Sequence, residues 1–293
     1  MSRNPCGASR EIDCIEYLSI PYAVDGKEVY REPGEDFDSA AFYDMMRTNP
    51  TADIKTMARN EIEFEEFWQP YLAAGKDVFH LSFSSQLSST YKNSLIASEA
   101  LMKEFPGRKI VTIDSKQICL QQASCIIECA RRRMEGTSLE ELAKWCEANL
   151  QRFCVLFTVE DLSYLKRGGR LSGASASIGT LLSIKPLLRV SPAGGLEAIG
   201  KVRGRKKVLR AMAAAIAANS SKDGDNFIFV ADAGCPDTIE RIVQYLQDAG
   251  VTAPIYFSKV GPVIGAHLGP GSVIISYISK NRAVPEYKAS ATE

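Results

Sequence analysis

Apolar positions along this chain alternate between two textures. Short dense runs such as "DVFHLSF" (77–83), "KIVTIDS" (109–115) and "FCVLFTV" (153–159) have the length and β-branched content of buried strands. Between them lie segments with apolar residues three and four apart. In "DFDSAAFYDMMRT", Phe42 and Met46 share a helical face and Asp38 is placed to cap it. "NEIEFEEFWQPYLAAG" reads as a helix from Asn60 to a stop at Gly75, and "SSTYKNSLIASEALMKEF" as one that follows its strand after a very short loop. "QQASCIIECARRRMEG" and "SLEELAKWCEANLQ" read as two more helices, and 15–30 as extended segments about a turn at Asp25-Gly26.

This strand–helix alternation predicts an α/β layer with a largely parallel sheet. After about residue 152 the texture changes. Residues 160–204 are rich in Gly and Ser, with strand-like pieces around "SPAGG". A helix (205–221), a strand (225–234), a helix (236–250) and two more strands (253–260 and 272–277) follow. The expectation is a two-domain α/β protein, 1–152 and 153–293, and a length of 293 residues agrees with two cores.

Charge narrows the function. Lys+Arg and Asp+Glu balance at 35 each, which gives nucleic-acid binding and a polybasic membrane surface no support. No run reaches the roughly 20 apolar residues of a membrane span, though transient membrane contact stays open. "MSRNPCGASREIDC" has no apolar core of a secretory signal, so a cytoplasmic location is expected. Eight cysteines in such a chain are expected to be reduced. Cys125 and Cys129 are four apart with Cys119 nearby, but there is no CxxC pair and no histidine close by. No metal site is expected, and small buried thiols are the simpler reading.

Two segments carry candidate chemistry. In "HLSFSSQLSSTY" a strand ends in hydroxyls and a helix begins at once. Ser84, Ser85, Ser88, Ser89 and Thr90 offer more donors than one helix cap needs, so an anion or carboxylate site is one reading and simple capping the other. In "VGPVIGAHLGPGSVIISY" one of only two histidines, His267, sits in a glycine-rich turn before a buried-looking strand. It is either a satisfied core residue or a functional group. A hydrolase would need a G-x-S-x-G elbow and an acid beside the histidine; neither is present. "LKRGGRLSG" and "GKVRGRKK" are basic clusters, the first with a glycine pair that allows close backbone approach, and neither is a Walker loop.

Taken in order, the motifs resemble the DegV family of bacterial fatty-acid-binding proteins. "SSQLSSTY" from Ser84 is similar to S-S-x-L-S-G-T-Y, and "YLKRGGRLS" from Tyr164 to Y-L-x-x-G-G-R-[IL]-S. "SIKPLL" is similar to N-[IL]-K-P-[IL], Lys201 to Gly204 matches K-V-R-G, and "VGPVIGAHLGPG" is similar to I-G-P-V-[IL]-G-x-H-x-G-P-G. The resemblance implies two α/β domains with a long-chain fatty acid buried between them and no cofactor. It also implies a non-catalytic role, in which the carboxylate is presented to a separate fatty-acid kinase subunit. It places the carboxylate at Thr56, Ser88 and His267, with Ser84, Ser85 and Thr90 as further candidates, and partner docking at Arg170 and Arg203. An acyl-ester or thioester hydrolase using Ser88 and His267 is the alternative. The chain departs from the family where T-S-Q-P-S becomes "TMARN", where Ser89 stands for Gly and Leu268 for Thr. It departs again at its opening, which lacks the strand ending in Asp-Ser.

Overall fold

The computed structural model describes residues 15–26, 28–31, 37–171, 183–222 and 226–280. The opening segment with Cys6 and Cys14, and residues 172–182 of the Gly/Ser-rich stretch, lie outside the described residues.

The first hairpin, β1 (Pro21–Val24) and β2 (Glu28–Arg31), turns at Asp25 and Gly26, whose φ values are 51° and 67°. Asp and Gly are residues that readily take the positive φ this turn requires. Helix α1 (Ser39–Thr48) follows, its first turn capped by the Asp38 carboxylate accepting from the Ala41 N–H. Strand β3 (Ile54–Thr56) joins the other edge of β1, giving an antiparallel three-stranded sheet.

Helix α2 (Glu61–Ala73) starts on a capping box between Asn60 and Glu63. Strands β4 (Val78–Ser82) and β5 (Ile110–Asp114) are joined through α3 (Thr90–Glu104) and pair in parallel. Among the described residues this pair is the parallel part of the N-terminal half. Helices α4 (Cys119–Met134) and α5 (Leu139–Asn149) complete that half.

Six strands form the second sheet, in the order β10-β9-β11-β6-β7-β8. They are β6 (Phe153–Thr158), β7 (Ile184–Val190), β8 (Leu196–Arg203), β9 (Ile228–Asp232), β10 (Ile255–Lys259) and β11 (Val273–Ile278). Only β9 and β10 run parallel; the other neighbouring pairs are antiparallel, with "SPAGG" turning β7 into β8. Every residue of β6 and β11 is buried, because both faces of the sheet are covered. On one face Cys154 and Leu156 pack with α7 (Arg205–Asn219) and α8 (Asp237–Asp248). On the other, Val155 and Phe157 pack with Tyr43 of α1, Leu165 of α6 (Ser163–Arg167) and Val263 of α9 (Pro262–Leu268). The alternation follows the two-residue period of a strand.

One expectation is corrected here. The glycine-rich segment around His267 is not a turn but the seven-residue helix α9. Pro262 occupies its first turn, where a missing N–H costs nothing, and Gly269 ends it at φ 75°. The apolar run and four glycines hid those two boundary signals.

Candidate functional site

Four separated segments deliver polar side chains to one apolar cavity. Thr56 ends β3, Ser88 lies in the β4–α3 loop, Arg170 follows α6, and His267 sits on α9; all four line a cavity of about 80 Å³. The remaining wall is apolar and comes from both halves of the chain, including Phe83, Ile118, Leu165, Leu196 and Ile264.

His267 Nε2 lies 2.9 Å from Thr56 Oγ1. Nδ1 is buried and has no hydrogen-bond partner among the described residues. An N–H buried without an acceptor costs more than a lone pair left unfilled, so the proton belongs on Nε2, donating to Thr56. The Thr56 hydroxyl hydrogen is then free to donate into the cavity. The ring fits because Gly168 has no side chain: a Cβ there would stand 2.3 Å from Nδ1. The first glycine of the pair in "LKRGGRLSG" therefore makes room for the histidine.

Burial, and secondarily the charge of Arg170, lower the His267 pKa to about 4, so the ring is neutral at pH 7. The positive charge at the cavity is Arg170, part-buried, which donates from Nε to the Leu87 carbonyl (3.1 Å) and from Nη1 to the Gly168 carbonyl (2.6 Å). Ser88 Oγ and Thr90 Oγ1 share a hydrogen bond of 2.8 Å.

The other candidates lie elsewhere. Ser84 is fully buried and donates to the Gly194 carbonyl (2.9 Å), tying the β4–α3 loop to the β7–β8 turn. Ser85 Oγ donates to Asp114 Oδ2 (2.6 Å) on the surface. Thr90 is buried beside Ser88 and lines a second, much larger cavity. Neither Ser84 nor Ser85 lines the small cavity. The Ser89 side chain makes no capping hydrogen bond to α3; Ser88 Oγ accepts a long one from the Thr90 N–H (3.3 Å). Arg203 is exposed at the end of β8. Arg167 of the first basic cluster donates to the Pro50 carbonyl (2.9 Å), and Arg205 of the second pairs with Glu160 (2.7 Å).

The altered segment "TMARN" has its own structural logic. Arg59 is buried, ion-paired to Glu63 and bonded to the Ser19 carbonyl. Met57 and Ala58 face the cavity and make its wall more apolar than hydroxyl residues would.

The larger cavity, about 1210 Å³, lies along β4 and is bounded by α2, α4 and α5. Phe64, Trp68, Phe79, Ile126 and Leu142 contribute apolar surface. Ile20 and Phe83 line both cavities and so form the wall between them. His80 also borders it, against the rings of Phe64 and Trp68 at centroid distances of 5.3 and 5.2 Å, and burial lowers its pKa to about 4.

Both histidines thus titrate lower folded than unfolded, where the value is near 6.5. As pH falls from 6.5 towards 4, the unfolded chain takes up protons that the folded chain does not, and stability drops by up to about 1.4 kcal/mol per pH unit for each ring. Below 4 both states are protonated and the loss levels off. Urea unfolding at pH 7 and pH 5 is expected to show this loss. With only two histidines, proton NMR should show two imidazole signals that do not move between those pH values. A ring titrating near 6.5 would contradict the burial.

The DegV family model matches residues 10–280. A DegV domain-containing protein of Clostridium perfringens is 32% identical over 278 residues, covering 95% of this chain and 94% of that protein. Among solved structures, the fatty acid binding DegV family protein of Streptococcus agalactiae superposes with a TM-score of 0.81 at 26% identity, covering 94% of each chain. The fatty acid binding protein DegV of Bacillus subtilis superposes with a TM-score of 0.79 at 26% identity, covering 94% of this chain and 95% of that one.

Proposed function

This chain belongs to the DegV family, and from that premise we propose that it binds a long-chain fatty acid and catalyses no reaction on it. The observation that carries this reading is the convergence of Thr56, Ser88, Arg170 and His267 on one apolar cavity. A carboxylate placed there accepts from the Thr56 and Ser88 hydroxyls, and Arg170 supplies the opposite charge. The similar proteins of S. agalactiae and B. subtilis are described as fatty acid binding.

The acyl chain supplies the affinity. Each buried methylene contributes about 0.8 kcal/mol, so the tail outweighs what a few hydroxyls add. A cavity of about 80 Å³ is below the roughly 300–1,000 Å³ of pockets that enclose small ligands. The tail therefore needs the wall to open, and Ile20 and Phe83 are the side chains between the head-group cavity and the larger one.

In this reading the chain presents the carboxylate to a separate kinase subunit, with Arg203 exposed for docking and Arg170 at the carboxylate itself. The hydrolase alternative is disfavoured by the hydrogen bonds. Ser88 bonds to Thr90 and His267 to Thr56, and no carboxylate orients Nδ1 among the described residues. A serine nucleophile needs the histidine on its own hydroxyl and an acid behind it.

Mass spectrometry of an organic extract of the purified protein is expected to give one long-chain fatty acid per chain. Protein that is empty and also fails to take up oleate or palmitate would overturn the proposal. Hydrolysis of a nitrophenyl acyl ester, abolished by Ser88→Ala, would establish the alternative.

A further inference from the structure

Three cysteines outside the head-group cavity meet at the contact between α4 and α5. Cys125 and Cys129 lie one helical turn apart on α4, and Cys146 faces them from α5. Their three Sγ atoms lie within 4.8 Å of one another, with Cys125 and Cys146 at 3.9 Å. All three side chains are buried. Cys119 is the nearest further cysteine in the sequence, but the fold brings Cys146 to the pair, 17 positions beyond Cys129, by turning the chain back at Gly136.

We propose that Cys125, Cys129 and Cys146 form a three-thiolate site for a soft d¹⁰ metal ion, zinc(II) or copper(I). The spacing fits. Metal–sulfur bonds of about 2.3 Å place ligating sulfurs roughly 3.8–4.0 Å apart in tetrahedral or trigonal geometry. One edge of the triangle already has that length, and the other two reach it with movements below an ångström. The donor set is all sulfur, which selects thiolate-seeking ions over magnesium or calcium. Cys129 also lines the large cavity, together with Ile126, Ala130 and Leu142. That cavity gives an ion a way in and leaves room for water as a fourth ligand.

Ligation releases the three thiol protons to solvent. Three thiolates around zinc(II) leave one net negative charge, and around copper(I) two. Arg132, whose guanidinium stacks over Trp145 at 4.1 Å, is a cation acting on Cys129 and offsets part of that charge. The competing reading is that the thiols only fill space, as small buried cysteines do.

The test uses the full, reduced, metal-free chain. Cadmium(II), a spectroscopic stand-in for zinc, is expected to bind at one equivalent with a thiolate-to-metal ultraviolet band. X-ray absorption of the zinc-loaded wild-type protein should give three sulfurs at about 2.3 Å. Cys146→Ala should weaken uptake at least tenfold, while Cys119→Ala leaves it unchanged. Competition with zinc- and copper(I)-specific chelators then tells which ion is held more tightly; preference for either supports the site. The absorption measurement needs no variant, so it stands even if Cys146→Ala fails to fold. No uptake at one equivalent, fewer than three sulfurs, or uptake unaffected by Cys125→Ala and Cys146→Ala overturns the proposal. So does a Cys125–Cys146 disulfide on exposure to air in a protein that takes up no metal when reduced.

Discussion

Replacing Thr56 by Val and Ser88 by Ala together is expected to weaken fatty-acid binding by at least about a hundredfold while the fold persists. Each substitution removes one hydroxyl from the cavity and keeps the side chain close to its original size. A hydrogen bond to a charged group contributes about 1.5–3 kcal/mol, and two such losses compound. Thr56→Val has a second consequence. It takes away the acceptor for His267 Nε2, so that N–H loses its partner too. Isothermal titration with oleate on delipidated protein measures the change, and thermal melting checks the fold. The two single variants should each lose about tenfold or more. If the double variant retains wild-type affinity, the carboxylate sits elsewhere. The tail should then be sought with its head in the larger cavity, where Arg59 and Arg133 line the wall.

Most of the helices and strands were legible from the sequence because local signals agreed with one another. The Asn60 and Ser138 capping boxes, Asp-Gly between β1 and β2, and the continuous apolar run of β6, buried on both faces, each say the same thing as the packing around them. Sheet topology was not legible in the same way. Strand–helix alternation suggested a largely parallel sheet, and β4–β5 and β9–β10 are parallel. Yet β11, the last strand in sequence, inserts between β9 and β6 and runs antiparallel to both. No local pattern encodes which strand fills a central gap.

The site was partly legible. Thr56, Ser88 and His267 were singled out through family motifs, and the fold brings them to one cavity. The resemblance assigns Arg170 to partner docking rather than to the carboxylate. Its place in the cavity wall depends on the Leu87 and Gly168 carbonyls, contacts that sequence cannot register. By residue type alone the five hydroxyls after β4 are equivalent, and only the family resemblance sets Ser88 apart. The structure divides them, with Ser84 and Ser85 holding loops and Ser88 lining the cavity.

The second large effect concerns how α9 is held. Tyr43→Ala is expected to cost about 3–5 kcal/mol, the range for removing a buried aromatic ring. For a chain of this size, melting should fall by roughly 6–20 °C. Tyr43 is fully buried, stacks edge-on against Phe42 at 5.2 Å, and donates from its hydroxyl to the Val260 carbonyl at 2.7 Å. Val260 lies just before α9, and the Tyr43 ring fills the space beside Gly265 within it. A Cβ at Gly265 would stand 2.4 Å from the Tyr43 hydroxyl oxygen. Gly265→Ala should therefore destabilise the protein by pushing that hydroxyl aside, and Tyr43→Phe should relieve the shortest contact, leaving ring carbons at 3.0 and 3.1 Å. The double variant Tyr43→Phe/Gly265→Ala is expected to be more stable than the two single losses added together. Because His267 lies two residues beyond Gly265 on the same short helix, Gly265→Ala should also lower fatty-acid affinity, and the double variant should recover part of it. If the two substitutions are additive in both stability and affinity, Tyr43 does not position α9, and the histidine is held by Thr56 and the Gly168 backbone alone.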